Sequence, residues 1–234
     1  FTSAQTGFAV GDAGTIMRTR DGGTSWTRLT NVGSTDALRG LCFADTARGW
    51  VVGANGTILH TNNAGNTWSR LNPTAAQLNS VSFSDSLTGW AVGETGVIVG
   101  TRDAGRSWYV VNPAVTAQSL RGVTRPSDTR AIAGGFGGVA AFTTVTVDSL
   151  QWGLGTFGAG NTINAIQMID PFVGYAVGIN ANGLVLRSED GGNTWVSQAS
   201  STAVALDDVW FVDTLRGWAV GAGGRIIHTS RGGR

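Results

Sequence analysis

Side chains that could do chemistry recur in one octet that is repeated four times. Each copy ends in tryptophan, and three of the four place an aspartate five residues before it. The copies read TRDGGTSW, TNNAGNTW, TRDAGRSW and SEDGGNTW, and their paired residues are Asp21 and Trp26, Asn63 and Trp68, Asp103 and Trp108, and Asp190 and Trp195. Recurrent acidic turns of this kind could bind calcium or could shape a hairpin.

The octet lacks the ligand pattern of a calcium site. A calcium loop alternates carboxylates at fixed positions and ends in a bidentate glutamate, and no copy has that series. An aspartate here can instead accept hydrogen bonds from the amides of its own turn. The glycine after it can take a positive φ, and the tryptophan can pack beneath the turn. We therefore predict that the octet is a structural device that binds no metal.

A hydrolase is the alternative function for such turns. Glycoside hydrolysis needs two carboxyl groups facing each other, or a tyrosine nucleophile with an acidic partner. Glu189 lies inside an octet and Tyr175 lies in an apolar strand, so Glu94 is the glutamate that is free to face a channel. We expect no catalytic residue; the alternative is a glycoside hydrolase or a carbohydrate-binding protein.

The remaining reactive side chains do not converge on a metal or a cofactor. His60 and His228 occupy equivalent positions in two copies of a repeat, so they are expected to lie apart. Cys42, the single cysteine, lies in an apolar segment, which is typical of a buried structural thiol. The string GLGTFG at residues 153–158 lacks the βαβ surroundings of a dinucleotide site. No cofactor is predicted.

A second string, the marker, is also repeated along the chain, and it predicts the strands between which these turns lie. The strings GFAVG, GWVVG, GWAVG, AIAGG, GYAVG and GWAVG begin at Gly7, Gly49, Gly89, Ala131, Gly174 and Gly217. Their period of about 42 residues is typical of a four-stranded propeller blade, and each period holds four short strand signals. We predict one all-β domain over residues 1–234, a β-propeller with six recognisable four-stranded antiparallel blades, either six-bladed or a trimmed seven-bladed ring.

Composition and charge narrow the choice of partner. The formal net charge is +1, which is too small for a nucleic-acid-binding surface. No stretch approaches the ~20 apolar residues of a membrane span, so no transmembrane segment is expected. The sequence begins at Phe1, inside a repeat and without methionine, and we expect that a preceding segment has been removed, by processing on export or by trimming.

Polar residues near the start of the innermost strands are the candidates for partner binding. The set comprises Arg39, Asn79, Arg121, Asn164 and Asp207, with Asp208 beside the last. Blades of one kind would bring these positions to one mouth of a channel, where arginine can bind the carboxylates of an acidic protein segment. An alternative partner face is formed by the residues just before three markers, Arg48, Arg130 and Arg216.

The octets match the Asp-box pattern, with Asn63 in place of aspartate in the second copy. The combination of marker and octet, GWAVGxxGxIxxTxDGGxxW, resembles the photosystem II stability/assembly factor family and its bacterial relatives. The resemblance covers essentially the whole chain. That family is typically seven-bladed, whereas six markers are found here and the fourth repeat has lost its octet.

The resemblance also implies a function and a location. It implies a non-enzymatic, extracytoplasmic protein, periplasmic or lumenal and peripheral to a membrane. Its partner would be a membrane protein complex of photosynthetic reaction-centre type. We therefore expect a binding scaffold that docks on such a complex and helps to assemble or stabilise it.

Overall fold

The computed structural model describes residues 1–111, 114–127, 129–145 and 150–233, apart from the side chains of residues 144, 145 and 150. Within these ranges the regular structure consists of short antiparallel strands and four single 3-10 turns. The chain divides into two compact units, Phe1–Ala114 and Val115–Arg234. A single domain over residues 1–234 stays a prediction.

The first unit contains three antiparallel sheets, numbered here as blades 1 to 3. Blade 1 consists of β1 (Gly7–Gly11), β2 (Thr15–Thr19) and β3 (Thr27–Arg28). Blade 2 consists of β4 (Leu38–Phe43), β5 (Gly49–Gly53), β6 (Ile58–Thr61) and β7 (Ser69–Leu71). Blade 3 consists of β8 (Leu78–Phe83), β9 (Gly89–Gly93), β10 (Ile98–Thr101) and β11 (Tyr109–Val110).

The second unit also contains three antiparallel sheets, blades 4 to 6. Blade 4 consists of β12 (Leu120–Ser127), β13 (Arg130–Gly135), β14 (Val139–Val145) and β15 (Leu150–Thr156). Blade 5 consists of β16 (Thr162–Met168), β17 (Gly174–Ile179), β18 (Gly183–Ser188) and β19 (Val196–Gln198). Blade 6 consists of β20 (Leu206–Phe211), β21 (Gly217–Gly221) and β22 (Arg225–Thr229).

The prediction of an all-β propeller with six blades is confirmed, with a difference at both ends. Blades 2 to 5 have four strands, which we call A to D in chain order, and each marker begins or lies within strand B. In the described residues blade 1 consists of strands B to D and blade 6 of strands A to C. The degenerate turn of the fourth repeat, at residues 146–149, lies outside the described residues.

Stacked rings join three pairs of neighbouring blades. In each pair the strand-B ring of one blade lies face to face with the strand-A phenylalanine of the next. Phe8 stacks on Phe43 with ring centroids 4.5 Å apart, and Trp50 stacks on Phe83 at 3.5 Å. In the second unit Tyr175 stacks on Phe211 at 3.7 Å. Trp50 and Tyr175 are 0% exposed, and burial of such large rings supplies apolar area that holds the blades together.

The marker glycine makes room for this stack. In blade 2 the ring of Phe43 lies across Gly49, and a Cβ atom at Gly49 would overlap the ring. The aromatic residue that follows the glycine then points into the joint with the next blade. The repeated Gly-aromatic pair of the sequence is therefore a packing requirement.

Replacement of Trp50 by alanine is expected to lower the free energy of unfolding by about 3–5 kcal/mol, the usual loss for a fully buried large aromatic. Trp50 is 0% exposed and its Nε1 donates to the carbonyl of Ala104 at 3.1 Å. Trp68, the half-buried octet tryptophan of the same blade, serves as the control, and its replacement by alanine should cost less. Urea denaturation measures the free energy of unfolding of both variants. A larger decrease for the Trp68 variant would contradict the conclusion that the buried strand-B ring holds the two blades together.

Candidate functional site

Each octet forms the hairpin between strands C and D, as predicted, and its aspartate binds the turn. In the first copy Asp21 Oδ1 accepts hydrogen bonds from the Ser25 amide at 2.9 Å and from Thr19 Oγ1 at 2.7 Å, and Oδ2 accepts from Ser25 Oγ at 2.6 Å. Asp103 and Asp190 make the same set of contacts. The carboxylate is thus saturated by its own hairpin.

The first residue of the octet also holds the turn, a role that was not predicted from the sequence. Thr19 Oγ1 accepts the amide of Gly23 at 2.9 Å while it donates to Asp21. Thr61, Thr101 and Ser188 do the same in the other copies. The signal was present in the sequence, because every octet begins with a threonine or serine, and each of these residues ends strand C. These hydroxyls are almost fully buried.

Asparagine replaces the aspartate of the second octet without loss of the hairpin. Asn63 Oδ1 accepts the Thr67 amide at 2.9 Å, and its Nδ2 donates to Thr67 Oγ1 at 2.8 Å. The amide therefore fits the same geometry with one hydrogen bond reversed. A neutral group suffices for the fold, although the charged acceptor makes stronger hydrogen bonds.

The octet tryptophans pack less deeply than predicted. Trp68, Trp108 and Trp195 are half-buried beneath their turns, and Trp26 is 37% exposed. Trp68 and Trp108 meet the strand-A phenylalanine of their own blade edge-on. The strand-B rings of Trp50 and Tyr175 are instead fully buried, because each lies between two blades whereas the octet lies at the edge of one.

The five predicted partner-binding residues in strand A share one structural position. Each is the extra residue of a β-bulge, where the pairing of strand A with strand B shifts by one. They are Arg39 in β4, Asn79 in β8, Arg121 in β12, Asn164 in β16 and Asp207 in β20. A bulge breaks the alternation of side chains and redirects the extra residue. The sequence placed these residues at the start of strand A but gave no sign of the bulge.

In the first unit the bulge residues meet the turns between strands B and C. Arg39 Nη1 lies 3.2 Å from Asp12 Oδ1, with side chains 46% and 79% exposed. Asn79 Nδ2 donates to Glu94 Oε1 at 3.2 Å and Oδ1 accepts from Gln77. The Arg39 ion pair is exposed to solvent, so it contributes little to stability.

In the second unit the bulge residues contact one another in series. Arg121 Nη1 donates to Asn164 Oδ1 at 2.6 Å, and Asn164 Nδ2 donates to the Leu206 carbonyl at 2.8 Å and reaches Asp207 Oδ1 at 3.5 Å. The Arg121 guanidinium also lies over the Phe136 ring, 4.1 Å from its centroid. Among the described residues, no carboxylate forms an ion pair with Arg121.

Asp208 follows the last bulge and differs from the others in its environment. The residue is exposed as a whole, yet desolvation of its carboxyl group raises its pKa, and the charge of Asp207 adds to that shift. Its Oδ1 accepts the Val209 amide at 2.8 Å, which acts in the opposite direction. The pair places negative charge at the end of a series that begins with the positive charge of Arg121.

The three arginines of the alternative partner face make contacts with residues near them. Arg48 Nε binds Asp45 Oδ2 at 2.7 Å, and Arg216 binds Asp213 in the same way, so each pairs with the aspartate that caps its own turn. Arg130 donates to Asn193 Oδ1 at 2.9 Å and lies over the Phe142 ring. These contacts account for the three residues as parts of turns.

The other candidates for chemistry occupy structural positions. His60 stacks on Trp50, and burial, followed by the nearby Arg106 charge, lowers its pKa. His228 pairs with Trp218 in blade 6, at the equivalent position. Burial raises the pKa of the Cys42 thiol, so it stays protonated. In the ranges that the structure describes, no group of three or more His, Cys, Asp or Glu side chains could hold a metal ion.

Helices of a length and apolarity sufficient to cross a membrane are absent from the described part of the chain.

Six antiparallel blades, five of them with a bulge in strand A, define a β-propeller protein. The family model described as photosynthesis system II assembly factor YCF48 matches residues 1–74 and 28–118, which together span half of the chain. The chain belongs to this family. No curated protein matches the chain.

Solved structures agree on the fold. A structure of YCF48 bound to D1 peptide is 21% identical with a TM-score of 0.75, over 100% of this chain and 77% of that one. YCF48 from Cyanidioschyzon merolae is 21% identical with a TM-score of 0.73, over 100% and 80%. The WD40 repeats of RRP9 are 13% identical with a TM-score of 0.72, over 97% and 73%. The fold thus extends to propellers of unrelated repeat sequence.

The octet aspartates are expected to make the protein sensitive to acid. Hydrogen bonds from Ser25 and Ser107 lower the pKa of Asp21 and Asp103 from 3.8 to about 2. Because these pKa values are lower in the folded state, the stability they contribute is present above pH 3.8 and is lost as the pH falls towards about 2. Urea denaturation at several pH values in this window measures the loss.

Two variants test whether the octet carboxylates cause the loss of stability at low pH, and they should change that loss in opposite directions. Asp103→Asn should reduce the loss of stability in this window, since asparagine does not titrate. Asn63→Asp, at the equivalent position of the second octet, should increase it. If both variants followed the wild-type pH dependence, the octet carboxylates would not be its source.

Proposed function

We propose that this chain is a non-enzymatic, protein-binding scaffold that docks on a membrane protein complex and helps to assemble or stabilise it. The observation that carries the proposal is the bulge in strand A of blades 2 to 6. At every bulge a polar or charged side chain is redirected out of the sheet, and core packing does not require any of these side chains. Within each unit the packed blades offer such side chains on a preformed surface, which binds with little ordering cost.

The two arginines of this set are suited to binding carboxylates. Arg39 has only an exposed ion pair with Asp12, which a partner's carboxylate can replace at low cost. Arg121 is held by the neutral Asn164 and the Phe136 ring, so its charge is available to an acidic ligand. A guanidinium can bind a carboxylate through two parallel hydrogen bonds, which adds specificity.

The nature of the partner is proposed from the relatives. The family is named for assembly of photosystem II, and one relative of the same fold has been solved with a D1 peptide. We infer a partner of photosynthetic reaction-centre type, approached by an extracytoplasmic protein from the periplasmic or lumenal side. Arg48, Arg130 and Arg216 are the alternative contact face, and their local contacts make them the less favoured one.

The double variant Arg39→Glu, Arg121→Glu is expected to abolish binding to the membrane complex and to leave the fold intact. Reversal of both charges would repel an acidic partner surface, and the wild-type interaction should weaken as salt is added. The measurement is a pull-down from native membranes in mild detergent, with identification of the co-purifying subunits.

The control is a second double variant with the same change of net charge, made at two arginines outside the strand-A bulges. Arg20 and Arg106 are exposed residues of two octets, and Arg20→Glu, Arg106→Glu should bind as the wild type does. Unchanged binding by the Arg39 and Arg121 variant would move the contact to the Arg48, Arg130 and Arg216 face. Recovery of the chain without any membrane complex would defeat the proposed function.

Absence of glycosidase activity is part of the same proposal. Tyr175 is 0% exposed and its hydroxyl donates to the Gly232 carbonyl at 2.8 Å, so it cannot serve as a nucleophile. Glu94 accepts a hydrogen bond from Asn79 in the turn after strand B. We expect no turnover of sialosides or aryl glycosides. Hydrolysis that disappears in the variant Glu94→Gln would instead support the hydrolase alternative.

A further inference from the structure

A side chain of strand C lies beside each of the stacked strand-B rings, and in two joints it is a cation. The residue that pairs with the ring across the strands is Arg18 beside Phe8 and Arg187 beside Tyr175. The Arg187 guanidinium lies 5.9 Å from the centroid of the Tyr175 ring, and its Nε donates to the Tyr175 hydroxyl at 3.0 Å. This position can therefore hold a positive charge when acceptors are close to it.

In the joint between blades 1 and 2 the octet of the next blade supplies these acceptors. Arg18 Nη1 donates to the Ala64 carbonyl at 3.2 Å and to Asn66 Oδ1 at 2.9 Å. Ala64 and Asn66 are the fourth and sixth residues of the second octet. A permanent charge beside the ring is accommodated here, because a carbonyl and an amide oxygen both face it.

The joint between blades 2 and 3 has a histidine at this position and a different set of neighbours. His60 pairs with Trp50 across the strands, and the two rings stack with centroids 5.2 Å apart. The octet of blade 3 comes close to the same ring, since a Cβ atom at the octet glycine Gly105 would overlap Trp50. The carbonyl of Ala104, the fourth octet residue, already accepts Trp50 Nε1, and the sixth octet residue is Arg106. His60 thus meets a cation where Arg18 meets an amide oxygen.

One nitrogen of the His60 imidazole has no acceptor. Its Nε2 is buried, and no residue that the structure describes offers it a hydrogen-bond partner. A proton bound at Nε2 would therefore place an N–H group and a positive charge in a buried position without compensation.

Arg106 supplies the charge that acts on this imidazole. Trp50 on strand B and Ser69, the residue paired with His60 on strand D, are both neutral. Asp103, in the same octet as Arg106, is held by its own hairpin. Burial of the imidazole, and after it the charge of Arg106, lowers the pKa of His60 from its ordinary value of 6.5. The unfolded chain therefore binds this proton more readily than the folded joint does.

We infer that His60 makes the joint between blades 2 and 3 a switch that loosens in mild acid. Above pH 6.5 the imidazole is neutral in the folded and the unfolded chain, and its stack on Trp50 contributes in full to stability. As the pH falls below 6.5 the unfolded chain takes up the proton first, so this contribution is lost progressively.

The same joint holds two of the strand-A bulges side by side. A Cβ atom at Gly40, next to the bulge residue Arg39, would lie 2.9 Å from the carbonyl of Asn79, the bulge residue of blade 3. Loosening of the joint would therefore change the spacing of Arg39 and Asn79. The switch itself does not rest on the function proposed for these residues, and it can be tested without a partner.

Protonation of His60 can be followed by NMR. The chain has two histidines, so in the variant His228→Gln the titrating imidazole is that of His60. We expect the midpoint of its titration to lie below pH 6.5. Arg106→Asn removes the nearby charge and supplies an amide oxygen, so it should shift the midpoint to higher pH. Arg102→Asn, the same change at another exposed arginine of this octet, is the control and should leave the midpoint unchanged.

Urea denaturation tests whether the proton weakens the joint. In the His228→Gln background the urea midpoint should fall between about pH 7.5 and about pH 5, the range in which an imidazole takes up its proton. The octet carboxylates lose their contribution only below pH 3.8, outside this range. His60→Gln should abolish the fall, because glutamine does not titrate. The measured quantity is the change with pH, so the test holds even if this variant is less stable at every pH.

Three outcomes would overturn the inference. The first is a His60 titration midpoint at or above pH 6.5, and the second is a fall in the urea midpoint that persists in His60→Gln. The third is an equal effect of Arg106→Asn and Arg102→Asn on the titration, since the charge beside the imidazole would then not be that of Arg106.

Discussion

The fold depends on the contact between a large strand-B side chain of one blade and a large strand-A side chain of the next, which in three pairs of blades is a stack of two rings. An isolated sheet of short strands leaves both faces in water, and the loss of conformational entropy on folding is then not offset. Stacking of Trp50 on Phe83, and of Tyr175 on Phe211, removes two large rings from water at each joint. The marker glycine and the octet glycine are consequences of this contact, because the backbone must come close to the rings on both sides.

Features that repeat along the chain could be predicted from the sequence, because a residue type that recurs at one position of every repeat has the same structural role in each. The six markers predicted the six blades, and the equivalence of His60 with His228 in the repeat predicts that the two do not bind one metal ion. The Asp21 hairpin was predicted for the same reason, since an acidic residue that recurs in a turn has a local role. Its hydroxyl partner Thr19 was overlooked although it recurs as regularly.

Features that arise from pairing between strands could not be predicted. The bulge at Arg39 or Arg121 is a shift of strand A against strand B, and single-strand alternation carries no trace of it. Burial of the octet tryptophans was overestimated for a related reason, since hydrophobicity does not tell whether a ring lies between two sheets or at the rim of one. The engagement of Arg48 by Asp45 needed the geometry of its turn.

The bulge has a consequence for how such a protein can change. The extra residue of a bulge has no partner residue on the neighbouring strand and does not pack between two blades. The fold of the blade therefore places little restriction on its residue type. Arginine, asparagine and aspartate all occupy this position in the present chain, on backbones of the same form. Each of blades 2 to 6 thus has one position whose side chain can change by a single substitution while the backbone of the blade remains the same.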